Sequence, residues 1–122
     1  MSPHVLSSAL LGIVEQAGLA VATLIEHLER DELLRSRLTR QEVQRQLITL
    51  GDSLGRLPDP TRRAMPELDW PGWATVVAAL QGPPGAALDE ALWFACEALV
   101  PATLLWLRVY RQSQPAWFRM TG

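Results

Sequence analysis

The fold is decided by one stretch of sequence, residues 39–57, which reads TRQEVQRQLITLGDSLGRL. Its apolar residues recur at three- and four-residue steps, the spacing of one face of an α-helix. Thr39 followed by Glu42 is typical of a capping box at a helix N-terminus, and Pro58 ends the helix. The stretch therefore predicts a helix whose narrow apolar face packs against a long partner helix. The residues of that face are Val43, Leu47, Leu50, Leu54 and Leu57.

The residues before this stretch predict the long partner. Residues 3–29 carry apolar side chains at the same helical spacing, with Pro3 in the first turn, where its missing N–H costs nothing. Residues 30–38 form a short charged connection that has room for one helical turn. Because this connection is short, we expect the two long helices to lie antiparallel.

The residues after it predict shorter helices separated by proline and glycine. Residues 58–66 are expected to form a loop, because three prolines in nine residues do not sustain a helix. Asp69 is expected to cap a third helix over 70–80, and the Gly-Pro-Pro-Gly run at 82–85 stops it. A fourth helix begins at 87 or 88, and Pro101 kinks or breaks it, leaving a fifth helix through 111.

The overall prediction is an all-α, antiparallel bundle of four to five helices in a single domain over residues 1–122. The tail, residues 113–122, carries Trp117 and Phe118, and we expect these aromatic rings to dock on the body of the domain or on a partner chain. Hydrophobic residues make up 48% of the chain and charged residues 20%, which excludes a disordered protein.

Charge and cysteine content predict a cytoplasmic protein with no membrane segment. The apolar run over 91–109 is interrupted by Glu97, Pro101 and Arg108, and the chain begins without the basic segment of a signal peptide. The single cysteine, Cys96, cannot form an internal disulfide, which agrees with a reducing compartment. The net charge of −2 gives no general reason to bind nucleic acid or an acidic membrane.

The usual catalytic and metal-binding patterns are missing from the sequence. The only histidines, His4 and His27, have no second histidine or cysteine at the spacing of metal ligands, so we expect neither a metal nor a cofactor. Cys96 follows an apolar helical stripe, which favours a small buried thiol over a nucleophile. The two prolines within 82–85 remove backbone donors that a phosphate-binding loop would need.

Two groups of residues point instead to binding. Five tryptophans in 122 residues exceed what a small core needs, and tryptophan is enriched in protein interfaces. We therefore predict a partner or dimer interface at Trp70, Trp73, Trp93 and Trp117. Arginines cluster between residues 30 and 45, which makes nucleic-acid contact an alternative. All eleven basic residues are arginine, which suits bidentate phosphate contacts, although a coding bias that favours arginine over lysine is the simpler explanation. The arginines in question are Arg35, Arg37, Arg40 and Arg45.

The second helix resembles the HepT-like branch of the HEPN superfamily, whose corresponding helix reads Ala-Val-Glu-Arg-Asn-Leu and then Ile-Gly-Glu-Ala. Asp52 stands where that family has glutamate, Asp69-Trp70 is similar to the Pro/Asp-Trp pair that follows, and Trp93 keeps its spacing to Val100-Pro101. The resemblance is clearest over residues 41–105. The residues that match the family helix outright are Val43, Arg45, Leu47, Gly51 and Leu57.

This resemblance implies a homodimeric helical bundle that acts as a metal-independent ribonuclease toxin, with a minimal nucleotidyltransferase as its antitoxin. The family signature is Arg-x4-His-x-Tyr, and here its positions, including the asparagine that usually follows the arginine, are occupied by Val77, Ala78, Gly82 and Pro84. None of these side chains transfers a proton or stabilises a phosphorane, so the resemblance implies a scaffold without the catalytic residues.

These observations lead to one function hypothesis and one alternative. The hypothesis is a catalytically inactive, cytoplasmic, HepT-like homodimer that binds other proteins, including a minimal nucleotidyltransferase in a toxin–antitoxin-like system. The alternative is an RNA-binding or residual ribonuclease module that uses the basic segment between Arg30 and Arg45.

Overall fold

A computed structural model describes residues 2–120, which form six α-helices and contain no β-strand. The all-α bundle is thereby confirmed, with one helix more than the upper predicted number. The helices are α1 (Pro3–Leu24), α2 (Arg30–Arg35), α3 (Arg37–Gly55), α4 (Asp59–Arg63), α5 (Trp70–Leu80) and α6 (Ala86–Ser113), and a 3-10 turn (Pro115–Phe118) follows.

The first helix is shorter than the apolar spacing predicts. It ends at Leu24 and not at residue 29, because His27 adopts a left-handed backbone conformation with φ of 67°. That conformation reverses the chain within a few residues, and the amide of Leu28 donates to the carbonyl of Ile25 at 2.9 Å. The charged connection then forms α2, as its length allowed.

A capping box is present at the start of α2, ten residues before the position at which the sequence pattern predicts one for the following helix. Glu29 and Glu32 form it at the start of α2, where the amide of Glu29 donates to the Glu32 carboxylate at 2.9 Å. The predicted box at Thr39 and Glu42 is wrong, because α3 already begins at Arg37 and includes Thr39 in its first turn. The region after α3 also differs, since Asp59–Arg63 forms a helix within the predicted loop. Its proline occupies the first turn, where a helix tolerates it.

The predicted start and end of α5 are confirmed. The Asp69 carboxylate accepts a hydrogen bond from the amide of Gly72 at 2.9 Å, and the helix ends at Leu80, just before the glycine–proline run. Gly85, with φ of 150°, turns the chain into α6.

Helix α6 is continuous, and the predicted break at Pro101 does not occur. Residues Ala95–Leu99 form a π-helical turn that ends two residues before the proline. A π turn widens the backbone, which accommodates a residue that lacks an N–H and whose ring would crowd the carbonyl of Glu97. The chain therefore keeps one 28-residue helix in place of two shorter ones.

Helix α1 lies at the centre of the bundle and packs against α3 and α6. Both neighbours run antiparallel to it. Ser7 contacts Thr61, just beyond the end of α3, whereas Gly18 lies against Leu50. Glu15 pairs with Arg111 near the end of α6, whereas Gly18 lies against Leu104. Helix α5 packs against α3 and α6 on the other side of the core. The largest fully buried side chains are Leu11, Val14, Val21, Leu33, Leu47, Leu50, Leu54, Met65, Trp73, Leu80, Leu92 and Leu107.

The tail docks on the body of the domain, as one of the two predicted arrangements requires. The Ser8 hydroxyl lies 2.9 Å from the carbonyl of Trp117 and 2.7 Å from that of Arg119, and it shares its single proton between the two oxygens. The Trp117 ring lies 5.6 Å from the ring of Tyr110 and is half-buried. The contacts fix the 3-10 turn against the first helix and the end of α6.

Candidate interaction surfaces

Trp73 belongs to the core and not to an interface. Its side chain is 2% exposed, and its indole Nε1 donates to the Thr103 hydroxyl at 3.0 Å, inside the contact between α5 and α6. This burial corrects its assignment to a partner surface, because a side chain enclosed within one chain does not contact another. The hydrogen bond explains how the polar end of the indole is accommodated in the core.

The other three predicted interface tryptophans are half-buried. Trp70 donates from Nε1 to the carbonyl of Met65 at 3.0 Å, and the Arg62 guanidinium lies 5.1 Å above its ring. Trp93 and Trp117 pack against the edge of the core from α6 and from the tail. The structure therefore spreads these three residues over separate elements, and their contact with a partner chain stays a prediction.

The positions that the resemblance aligns with the family signature hold no group that transfers protons. Val77 lies on α5 and packs against Gly51 of α3, while Ala78 is exposed and Gly82 and Pro84 lie in the exposed turn after α5. The contact between Val77 and Gly51 is close, since an alanine Cβ at residue 51 would lie 2.3 Å from Cγ2 of Val77. Val77, the position that the resemblance aligns with the family's arginine, is therefore occupied by apolar packing against α3.

Cys96 is buried in α6, and burial raises the pKa of its thiol to about 12. The thiol therefore stays protonated at neutral pH and is a poor nucleophile. Among residues 2–120, no group of three or more histidine, cysteine, aspartate or glutamate side chains is arranged to hold a metal ion.

Three of the four predicted nucleic-acid arginines line one groove, which we call the arginine groove. Arg35, Arg37 and Arg40 surround a cavity of about 650 Å³ between α2, the start of α3 and the turn after α5. Gly82 and Pro84, two of the positions that the resemblance aligns with the family signature, line the same cavity as these arginines. Sequence spacing did not predict this proximity.

The arginines of this groove differ in how they are paired. Arg40 forms an ion pair with Asp89 of α6, whereas Arg35 and Arg37 have no carboxylate partner within the described part of the chain. Arg45 does not line the groove. It pairs with Glu42, and hydrogen bonds from Arg45 and then Gln46 lower the pKa of that carboxyl. The basic surface is therefore smaller than the sequence suggested.

A second groove, which we call the apolar groove, lies between α1 and α6 and was missed in the sequence. It encloses about 690 Å³. Leu19 and Leu105 are exposed in it by 53% and 47%, although both are large apolar side chains. Exposed apolar surface of this kind is typical of protein or membrane contact. The apolar residues that line the groove are Leu19, Ala22, Ile25, Val100, Pro101, Leu104 and Leu105.

Charged residues flank the apolar groove. Glu15 of α1 and Arg111 of α6 form an ion pair of 2.7 Å at one end, close to Arg108, and Glu26 lies at the other end. Arg108 and the exposed Glu97 have no ion-pair partner in residues 2–120. The long apolar helices themselves are the signal that sequence reasoning overlooked, because it assigned their apolar residues to the core alone.

The two helices that form this groove, Pro3–Leu24 and Ala86–Ser113, are also long and apolar enough to cross a membrane. Their most apolar 18-residue windows have mean hydropathies of 1.7 and 1.4, and 44% and 39% of those windows are buried inside the bundle. Core helices of soluble proteins share these properties. The helices thus fit a soluble or a membrane protein, which corrects the exclusion of a span, and cytoplasmic location stays a prediction.

The comparisons with known proteins return no relative. No protein-family model matches the chain, and no curated protein or solved structure matches it either.

Proposed function

We propose that this chain is a catalytically inactive, HepT-like protein that acts as a dimeric protein-binding subunit. The observation that carries the proposal is the apolar groove, which leaves Leu19 and Leu105 uncovered on an otherwise well-packed monomer. Apolar side chains of this size are stabilised when a partner removes them from water, by roughly 1.5–3 kcal/mol for a fully buried leucine. The resemblance of residues 41–105 to the HepT-like branch supplies the candidate partner, a minimal nucleotidyltransferase.

The absence of catalysis is supported by the chemistry at the signature positions. Val77, Ala78, Gly82 and Pro84 supply no acid, base or cation, and the raised pKa of the Cys96 thiol removes the one soft nucleophile. In a ribonuclease assay on the purified chain we expect no cleavage of single-stranded RNA. Cleavage that follows the folded protein through purification, and that Arg37→Ala abolishes, would contradict this part of the proposal.

Partner binding is tested by calorimetric titration with a minimal nucleotidyltransferase from the same source. We expect binding that Leu19→Glu weakens by about tenfold or more, because the substitution places a carboxylate in an apolar contact. Leu38→Glu is the matched control: Leu38 is 79% exposed, lies near the start of α3 and is absent from the groove lining. Equal effects of the two variants, or no binding at all, would count against the proposal.

A second candidate function is RNA binding through the arginine groove. It is favoured by one observation, namely that Arg35 and Arg37 face a shared cavity with Arg40 and lack carboxylate partners of their own in residues 2–120. Such binding requires an affinity for single-stranded RNA that falls steeply with salt, since phosphate contacts release counterions. Arg37→Ala should then reduce the salt dependence, whereas Arg56→Ala, at the exposed end of α3, should leave it unchanged. Affinity that does not depend on salt would exclude this function.

A further inference from the structure

The exposed face of α6 carries a row of apolar residues that we call the α6 stripe. Its large members, Phe94, Leu105 and Val109, are 47%, 47% and 39% exposed. Its small members lie between them and are also exposed. The stripe extends from the apolar groove over the outer surface of the helix, about 24 Å along its axis at 1.5 Å per residue. It consists of Phe94, Ala98, Pro101, Ala102, Leu105 and Val109.

The α6 stripe is symmetric about its own centre, between Pro101 and Ala102. Reversing the helix about that point exchanges the two central residues, exchanges Ala98 with Leu105, and exchanges Phe94 with Val109. In two reversed copies, Leu105 of one therefore faces the smaller Ala98 of the other, and Phe94 faces the smaller Val109. Because a larger side chain faces a smaller one in each pair, the two helices can interdigitate. The small central residues allow two helix backbones to approach closely.

The charges beside the stripe obey the same symmetry. Glu97 and Arg108 are exposed and form no ion pair within the described residues. After reversal, Glu97 of one copy lies within two residues, or about 3 Å along the axis, of Arg108 of the other. A pair of copies therefore forms two equivalent ion pairs, one at each end of the contact.

We propose that the α6 stripe binds the α6 stripe of a second copy of this chain, with the two helices antiparallel across a two-fold axis at Pro101–Ala102. An isologous contact requires a surface that is complementary to itself under reversal, which is what the apolar and charged residues provide. Binding to a lipid surface would not require opposite charges at the two ends of the stripe. Binding to an unrelated protein would not require the stripe to be symmetric under reversal. The inference deepens the proposed function, on whose dimeric state it rests.

The register is tested by disulfide formation in a Cys96→Ala background. Ala102→Cys places one thiol beside the proposed axis, where its copy comes within the Cα separation that a disulfide needs, below about 7 Å. Glu90→Cys is the control on the same exposed helix, and its copy would lie about 35 Å away along the axis. On a denaturing, non-reducing gel we expect oxidation to cross-link the first variant as a dimer and to leave the second without a cross-link. Cross-linking of both, or of neither, would overturn the proposal.

The ion pairs are tested by charge reversal and sedimentation equilibrium in the micromolar range. Arg108→Glu should weaken the dimer by about tenfold or more, because each end then joins two carboxylates. The double variant Glu97→Arg with Arg108→Glu restores opposite charges and should return the dissociation constant to within about twofold of the parent. Failure of the double variant to recover would overturn the antiparallel register.

Two further outcomes separate this inference from the proposed function. A chain that stays monomeric but still binds a nucleotidyltransferase would overturn the α6 pairing and leave protein binding intact. A monomer that sediments with phosphatidylcholine vesicles would overturn the pairing and assign the stripe to lipid contact. Leu105→Glu should abolish the dimer while the circular dichroism spectrum stays unchanged, because Leu105 is already 47% exposed in the monomer. A dimer that survives Leu105→Glu would overturn the pairing as well.

Discussion

Replacing Gly51 by alanine tests the close contact between α3 and α5. The added Cβ would lie 2.3 Å from Cγ2 of Val77 and 3.3 Å from Cε3 of Trp73. Carbon atoms pack best about 3.5–4.0 Å apart, so the helices have to separate by about 1 Å. Valine offers little relief, because its branched side chain has one strongly preferred rotamer in a helix. Overpacking of this kind costs about 1–3 kcal/mol.

The net effect includes the gain from removing a helical glycine, about 1 kcal/mol. Gly51→Ala should therefore change the free energy of unfolding by between about zero and a loss of 2 kcal/mol. Gly12→Ala is the matched control, since Gly12 lies within α1 and an added Cβ there meets nothing within 4 Å. It should stabilise the protein by about 1 kcal/mol, so the two variants should differ by about 1–3 kcal/mol.

Urea unfolding followed by circular dichroism measures both variants, and shifts in the midpoint at constant slope give the difference. A Gly51→Ala protein at least as stable as Gly12→Ala would refute the reasoning. Adding Val77→Ala to Gly51→Ala removes the atom that the new Cβ meets. The double variant should therefore show a favourable coupling of about 1 kcal/mol or more.

Three further predictions concern the core and the tail. The free energy of unfolding should fall by about 1.4 kcal/mol per pH unit as pH rises from 9 towards 12. The unfolded thiol ionises in this range, whereas the folded Cys96 thiol has a raised pKa and stays protonated. A Cys96→Ala protein with the same slope in pH-dependent unfolding would refute this. Thr103→Val leaves the buried Trp73 N–H without its acceptor and should cost about 1–3 kcal/mol in urea unfolding, whereas Thr75→Val on the exposed side of α5 should change little. Ser8→Ala removes the hydroxyl that holds the tail, and amide exchange over residues 115–119 should accelerate while that of α3 is unchanged.

The sequence predicted helix boundaries correctly where neighbouring residues determine them. Asp69 begins α5 because its carboxylate reaches an orphan amide, and the glycine–proline run after Leu80 ends that helix. The end of α1 could not be read from periodicity, because the apolar spacing continues through Leu28 while the backbone has already turned at His27. The π turn before Pro101 also lay outside the pattern, since proline alone predicts a break.

The candidate surfaces were harder to predict, because they depend on which faces the bundle leaves open. Composition identified tryptophan as a surplus, but Trp73 is enclosed by α5 and α6, and leucines occupy the exposed groove instead. The arginine cluster was visible in the sequence. The sequence did not show which of these arginines are paired and which are unpaired, because Arg40 and its partner Asp89 are 49 positions apart.

The course of α6 sets a length scale for any RNA that engages two arginine grooves at once. Leu88, at the start of the helix, lines the groove, and in the proposed antiparallel pair the two copies of this residue lie about 40 Å apart along the axis. A strand that reaches both grooves at once must therefore span about 40 Å. Shorter strands would reach only one groove. The length of the continuous helix α6 would therefore set the minimum length of RNA that binds both grooves of a dimer.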